Sequence, residues 1–377
     1  MCKKKHKKKL KLQIAQDKVQ SAINETNNAI GELGEHTGSL YNSLTSIQAQ
    51  FDKIRNVPSE QKLQYEKLKQ IRLNWKQQAN KIDKDYKNAT VKNAGAGAAG
   101  AGLGVAVVTM GPTVAMGIAT TFGVASTGTA ISTLSGAAAT NAALAWLGGG
   151  TLAAGGGGMA AGNAFLALAG PVGWAIAGVS LLVSGLTFWK SKSDKNHLEN
   201  VFIAISERDV KSYELATVEL KERISRIIDE NNKLTDAIVE MESFGIDYNK
   251  MSVAQQYALG SYVNLMLSST QLLVNPIQGL LPKFFEEDLD SFMYWKDRKS
   301  NNDVCEEYKD FIVYMANLLY KIELNDRDKK ILWKSLRKNK KMLKSMGISK
   351  KEFDLDIMNA ILEALIFKYS KKSDATI

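Results

Sequence analysis

The chain reads as an all-α protein: long coiled-coil arms forming a stalk, a Gly/Ala-rich apolar block inserted between them, and a small C-terminal helical bundle. Three observations predict this. Leu12, Val19, Thr26, Leu33, Leu40, Ile47 and Ile54 recur every seven residues, with Ile23, Ile30, Thr37, Leu44 and Phe51 four positions further on, the pattern of a helix that packs along a narrow seam. The same spacing returns at Tyr213, Leu220, Ile227, Leu234 and Met241. Between the two, Asn93 to Trp189 form 97 consecutive residues without Asp, Glu, Lys, Arg or His, bordered by Lys92 and Lys190.

In chain order, residues 1–11 are a polybasic tail carrying Lys3, Lys4, Lys5, Lys7, Lys8 and Lys9. Such a cluster holds an anionic lipid surface at about 1 kcal/mol per charge. No apolar run follows it, so it is not a signal peptide. The lack of interleaved aromatics disfavours nucleic acid as its partner. Residues 12–92 form the first arm. Gly31, Gly34 and Gly38 weaken it locally, Pro58 ends its first helix, and Ser59-Glu60 opens a second with a seam of Leu68, Ile71, Trp75, Ala79, Ile82, Tyr86 and Ala89. Residues 190–250 form the second arm, closed by Gly245. Antiparallel pairing of the two arms would put the apolar block at one end of a rod. Residues 251–302 hold an apolar helix ended by Asn275-Pro276, then an acidic loop or helix start at Glu286–Asp290. Residues 303–377 hold three helices, near 304–323, 326–345 and 350–370, whose bundle offers a surface to a protein partner.

The block, 93–189, holds 22 of the 29 glycines. A bilayer span takes about 20 apolar residues, so its length allows two to four passes. Candidate spans are 96–110, 113–134, 137–147 joined to 159–169, and 171–189. Gly100 and Gly104 stand four apart, as do Gly158 and Gly162, while Gly178 and Gly185 are seven apart on one helical face. Small residues at these intervals let helix backbones approach closely in lipid, in the manner of a glycine zipper. Trp146, Trp174 and Trp189 suit interfacial anchors. Only 171–189 is rich enough in large apolar side chains to read as a transmembrane helix by itself; the other spans are conditional, as in a segment stowed in protein and later inserted. Lysines flank both ends, which puts the ends on one side of a membrane and makes the number of passes even.

The net charge is +10, and all of it lies before the block, where residues 1–92 carry 19 Lys and Arg against 9 Asp and Glu. That asymmetry indicates a polyanionic partner, most economically anionic lipid. Two cysteines, Cys2 and Cys305, exclude a disulfide framework. Gly95, Gly97 and Gly100 match a dinucleotide fingerprint, but the residues before them are polar and helical where that motif needs a buried strand. His6, His36 and His197 stand far apart, and no ligand set, triad or paired carboxylate emerges. The sequence therefore gives no catalytic, cofactor or metal residues and reads as a non-enzyme.

SGAAATNAALAWLGGGTLAAGGGGMAAG, from Ser135 to Gly162, resembles a signature of uncharacterised bacterial proteins in which coiled-coil flanks surround an apolar core. The order of segments over residues 12–275 is similar to the helical pore-forming toxins of the haemolysin E class. That resemblance implies an apolar element folded against a helical bundle, release into a membrane, and a homo-oligomer that perturbs or permeabilises it. The insert here is longer and more glycine-rich, and no export signal is evident, which points to a cytoplasmic or inner-membrane-associated protein of a bacterium. Two other readings stay open: a permanently anchored coiled-coil scaffold that recruits partners, and a block permanently enclosed by its flanking helices.

Overall fold

The computed structural model describes residues 2–93, 112–122, 191–281, 283–297, 303–338, 343 and 348–370, with the backbone alone at 2–10, 16, 20, 85–93, 122, 296 and 297. Helices make up 85% of it and there is no strand among the described residues, so the fold is all-α.

Two 50-residue helices, α1 (Cys2–Phe51) and α4 (Lys192–Met241), run side by side. At 1.5 Å per residue each is about 75 Å long. The segment read as a polybasic tail continues α1, whose helix begins at Cys2. Their direction differs from the antiparallel expectation. Thr26 Oγ1 lies 3.0 Å from Thr217 Oγ1, and 29 residues further on in each chain segment, in the turns that follow α1 and α4, the Arg55 amide donates to the Ile246 carbonyl. The offset is nearly constant, so α1 and α4 are parallel. A seven-residue period requires that the arms pack and is silent on their sense.

Each arm returns on its own partner. After the turn at 52–58, α2 (Ser59–Asn93) runs back along α1, and after a turn through Gly245, at φ +76°, α5 (Val253–Val274) runs back along α4. Local chemistry sets these boundaries. Ser191 accepts from the Asp194 amide at the start of α4, and Ser252 with Gln255 forms a capping box at the start of α5. Asn56, at φ 59°, donates to Asp247 at 3.0 Å and ties the two turns together. The result is a four-helix body with two hairpins side by side. Its core is built on Val19, Ile23, Ile30, Leu33, Leu40, Leu44, Ile47 and Phe51 of α1 against Tyr213, Leu220, Ile227 and Leu234 of α4.

A second core forms where Leu198, Val201, Phe202 and Ile205 of α4 meet the C-terminal helices α6 (Glu286–Asp297), α7 (Asp303–Glu307), α8 (Lys309–Leu319), α9 (Asp326–Lys338) and α10 (Leu355–Ser370). The acidic run Glu286–Asp288 is the first turn of α6, where carboxylates face the positive helix end. The last helix starts at Leu355 because the Asp354 carboxylate accepts from the amides of Asp356 and Ile357, each at 3.0 Å. Arg208 fixes this domain to α4. It donates to the Leu318 and Tyr320 carbonyls at 3.0 and 2.7 Å, lies over the Tyr320 ring, and pairs with buried Asp209 at 2.7 Å. Burial pushes the Asp209 carboxyl above its ordinary value, and Arg208 offsets this only in part.

Candidate functional site

One piece of the apolar block lies among the described residues: α3 (Pro112–Phe122), PTVAMGIATTF, an 11-residue helix with no ionisable side chain. Pro112 at its first position suits a helix start. It sits between α1 and α2 and also reaches α5. Ala115, Ile118, Ala119, Thr120 and Thr121 are buried, and Thr113, Val114 and Met116 are half-buried. α3 runs antiparallel to α1, since Thr113 faces Gly34, Met116 faces Gly38, and Gly117 faces Ile30 and Gly34.

Three glycines make this fit. A Cβ on Gly34 would stand 1.9 Å from the Thr113 carbonyl oxygen, and one on Gly117 would stand 2.1 Å from the Ile30 carbonyl oxygen. Both obstructions are backbone, so the helices touch main chain to main chain at this crossing. At Gly38 the neighbour is the flexible end of Met116, 3.1 Å away, and at Gly31 there is nothing within 4 Å among the described residues. The glycines that weaken the first arm in isolation thus divide in role: Gly34 forms the notch, Gly38 admits Met116, and Gly31 is open. Gly34 and Gly38 stand at the same four-residue interval as Gly100 and Gly104, a spacing that could have marked them, although in the sequence each reads only as a weak point of the arm.

Two hydrogen bonds within the helices satisfy threonines at the dock, and one between elements ties down the end of α3. Thr37 donates back to the Gly34 carbonyl at 3.1 Å and Thr121 to the Gly117 carbonyl at 2.8 Å. The Ile277 amide, just past α5, donates to the Thr121 carbonyl at 2.7 Å, meeting an acceptor that the end of α3 leaves unused. On the α2 side Lys76 reaches the Met116 sulfur at 3.6 Å while its ammonium lies 5.3 Å from the Tyr41 ring centre. Trp75, Ala79 and Ile82 of α2 are buried at this level.

Of the span expected at 113–134, the described part is α3. Gly100, Gly104, Gly158, Gly162, Gly178, Gly185, Trp146, Trp174 and Trp189 lie outside the described residues, as do the other candidate spans. Lys3, Lys4, Lys5, Lys7, Lys8 and Lys9 belong to the first turns of α1, and their side chains lie outside as well. Among the described residues no helix is long and apolar enough to cross a membrane, and no group of acidic, His or Cys side chains is placed to hold a metal. No protein-family model matches the chain, and neither a curated protein nor a solved structure matches it significantly.

Proposed function

We propose that this chain is a membrane-active helical protein whose uncharged block, stowed in part against its own bundle, enters a bilayer and perturbs it as a homo-oligomer. The supporting observation is the manner in which α3 is held. It is docked by shape, through Gly34 and Gly117, with no ionisable side chain of its own. A helix held this way leaves without breaking an ion pair of its own, and in lipid it presents no charged group to the hydrocarbon. Its glycine and small side chains serve close packing in both settings, on α1 in the stowed form and on a neighbouring helix in a bilayer. The excess of lysine before the block supplies the attraction to an anionic surface.

The experiment is vesicle flotation combined with dye release, using full-length protein on phosphatidylcholine vesicles with and without phosphatidylglycerol. Binding and leakage that depend on the anionic lipid support the proposal. Binding without leakage favours the scaffold reading, in which the block anchors α1 and α4 and the C-terminal domain recruits a partner. Absence of both binding and leakage refutes a membrane role.

A further inference from the structure

The two hairpins differ in how well their buried polar groups are met. In α4–α5 the Tyr262 hydroxyl donates to Glu240 at 2.5 Å, Ser268 and Ser269 donate to Glu230 at 2.8 and 2.9 Å, and Arg223 donates to the carbonyls of Leu272 and Asn275. Among the described residues Asn231 Oδ1 is left without a partner there, as are Ser206 Oγ and Asp209 Oδ2 further along α4, where it meets the C-terminal helices. In α1–α2 more such atoms are unmet among the described residues, and several gather at one level. Gln48, 2% exposed, has a partner among the described residues for neither its amide nitrogen nor its amide oxygen. Arg72, 4% exposed, donates one Nη to the Leu44 carbonyl and leaves Nε unmet, with no ion pair among the described residues. Trp75 Nε1 and, in α3, Thr120 Oγ1 are likewise buried and unmet among the described residues.

Gln48, Arg72 and Trp75 share one level of the α1–α2 hairpin, whereas Thr120 lies further along α1. Phe51 packs on Tyr65 above Gln48 and Tyr41 packs on Trp75 below it, each pair with ring centres 5.6 Å apart. Gln48 and Leu44, whose carbonyl Arg72 uses, lie between the two aromatic pairs on α1. A buried polar group without a partner forfeits its hydration and gains nothing in return, so it favours any state that lets water reach it. Burial also holds the Arg72 guanidinium below its ordinary value, the sign expected of a charge kept from water. The ion pair that joins these helices, Lys69 with Asp52 at 3.3 Å, is more than a third exposed and contributes little.

We infer that α2 is the helix that opens: the Gln48–Arg72 layer is a built-in weak seam, and separation of α2 from α1 is the step that uncovers α3. Position agrees with energetics. α2 packs on α3 as well as on α1, and its last residue, Asn93, leads directly into the apolar block. Opening wets Gln48, Arg72 and Trp75 and removes Trp75, Ala79 and Ile82 from the dock. α2 also parts from α5, on which it packs, while α5 stays paired with α4 as the fixed half. This inference rests on the proposed membrane role for its purpose but not for its test.

The test is hydrogen exchange on the full-length protein without lipid, followed by dye release from phosphatidylcholine–phosphatidylglycerol vesicles. In the wild type, amides of α2 should exchange about tenfold or more faster than those of α5, one factor of ten being about 1.4 kcal/mol. The double variant Gln48→Leu/Arg72→Met replaces the unmet groups with apolar chains of similar size. It should slow α2 exchange about tenfold while leaving α5 unchanged, and should slow leakage in parallel. Gln48→Met alone should move α2 exchange in the same direction, and it carries the test should the double variant not fold. α2 exchanging as slowly as α5 in the wild type, or α2 exchange unaltered in the variants, overturns the inference. Slowed exchange in a protein that never empties vesicles upholds the seam and refutes the membrane role.

Discussion

Consider Gly34→Ala beside Gly31→Ala, two substitutions one helical turn apart on α1. At Gly34 the new methyl would stand 1.9 Å from the Thr113 oxygen, whereas carbon and carbonyl oxygen settle at about 3.3–3.6 Å. The obstruction is backbone, so α3 must lift by more than about 1 Å, a gap that forfeits about a quarter to a half of each dispersion contact it stretches. Ile118, fully buried, contributes about 1.5–3 kcal/mol to docking, and Ala115 and Ala119 add to it. Loosening that interface costs about 2–3 kcal/mol, against about 1 kcal/mol gained by replacing a helical glycine with alanine. Gly34→Ala should therefore lower stability by about 1–2 kcal/mol. Gly31→Ala meets nothing and should raise it by about 0.5–1 kcal/mol. Gly38→Ala should fall between, because Met116 can yield. Urea denaturation read by far-ultraviolet dichroism measures all three. Equal midpoints for Gly31→Ala and Gly34→Ala would refute the main-chain crossing.

Ile118→Ala should cost about 2–5 kcal/mol of docking; hydrogen exchange should locate the loss in α3, and vesicle leakage should accelerate. Asp209 gives a pH test. Its carboxyl is raised by burial, so the folded state binds that proton at higher pH than the unfolded chain does, and the penalty is relieved as pH falls through the folded value. Relative to Asp209→Asn, wild-type stability should increase from neutral pH towards about pH 4, where carboxylates ordinarily titrate. Urea midpoints of both proteins across that range decide it, and a wild type that weakens relative to the variant on acidification would show that Arg208 dominates the site.

The helices were legible because their signals are local. Heptad apolar positions, Pro58, the Ser59-Glu60 start and the Asn275-Pro276 stop all act within a few residues, and α1, α2 and α5 end close to where they direct. The sense of pairing was not, since the same seam residues serve parallel and antiparallel neighbours; the tie between Arg55 and Ile246 that fixes it joins residues far apart in the chain. Gly34 shows the same limit at the site. One glycine in a helix reads as a cost until its opposite number, Gly117, is known to cross it. Gln48 and Arg72 carry no local sign of burial in the sequence, and only the packing of α2 on α1 buries them.

Location of α3 in the presence of lipid is the measurement on which most depends. A fluorophore attached at Met116→Cys, a half-buried position at the face of the dock, reports whether that helix is in protein or hydrocarbon. With phosphatidylglycerol-containing vesicles, quenchers fixed in the acyl chains should extinguish the signal on the same timescale as dye release. Fluorescence that stays indifferent to lipid-borne quenchers, from protein that has bound the vesicles, would mean that the apolar block remains enclosed by its own bundle.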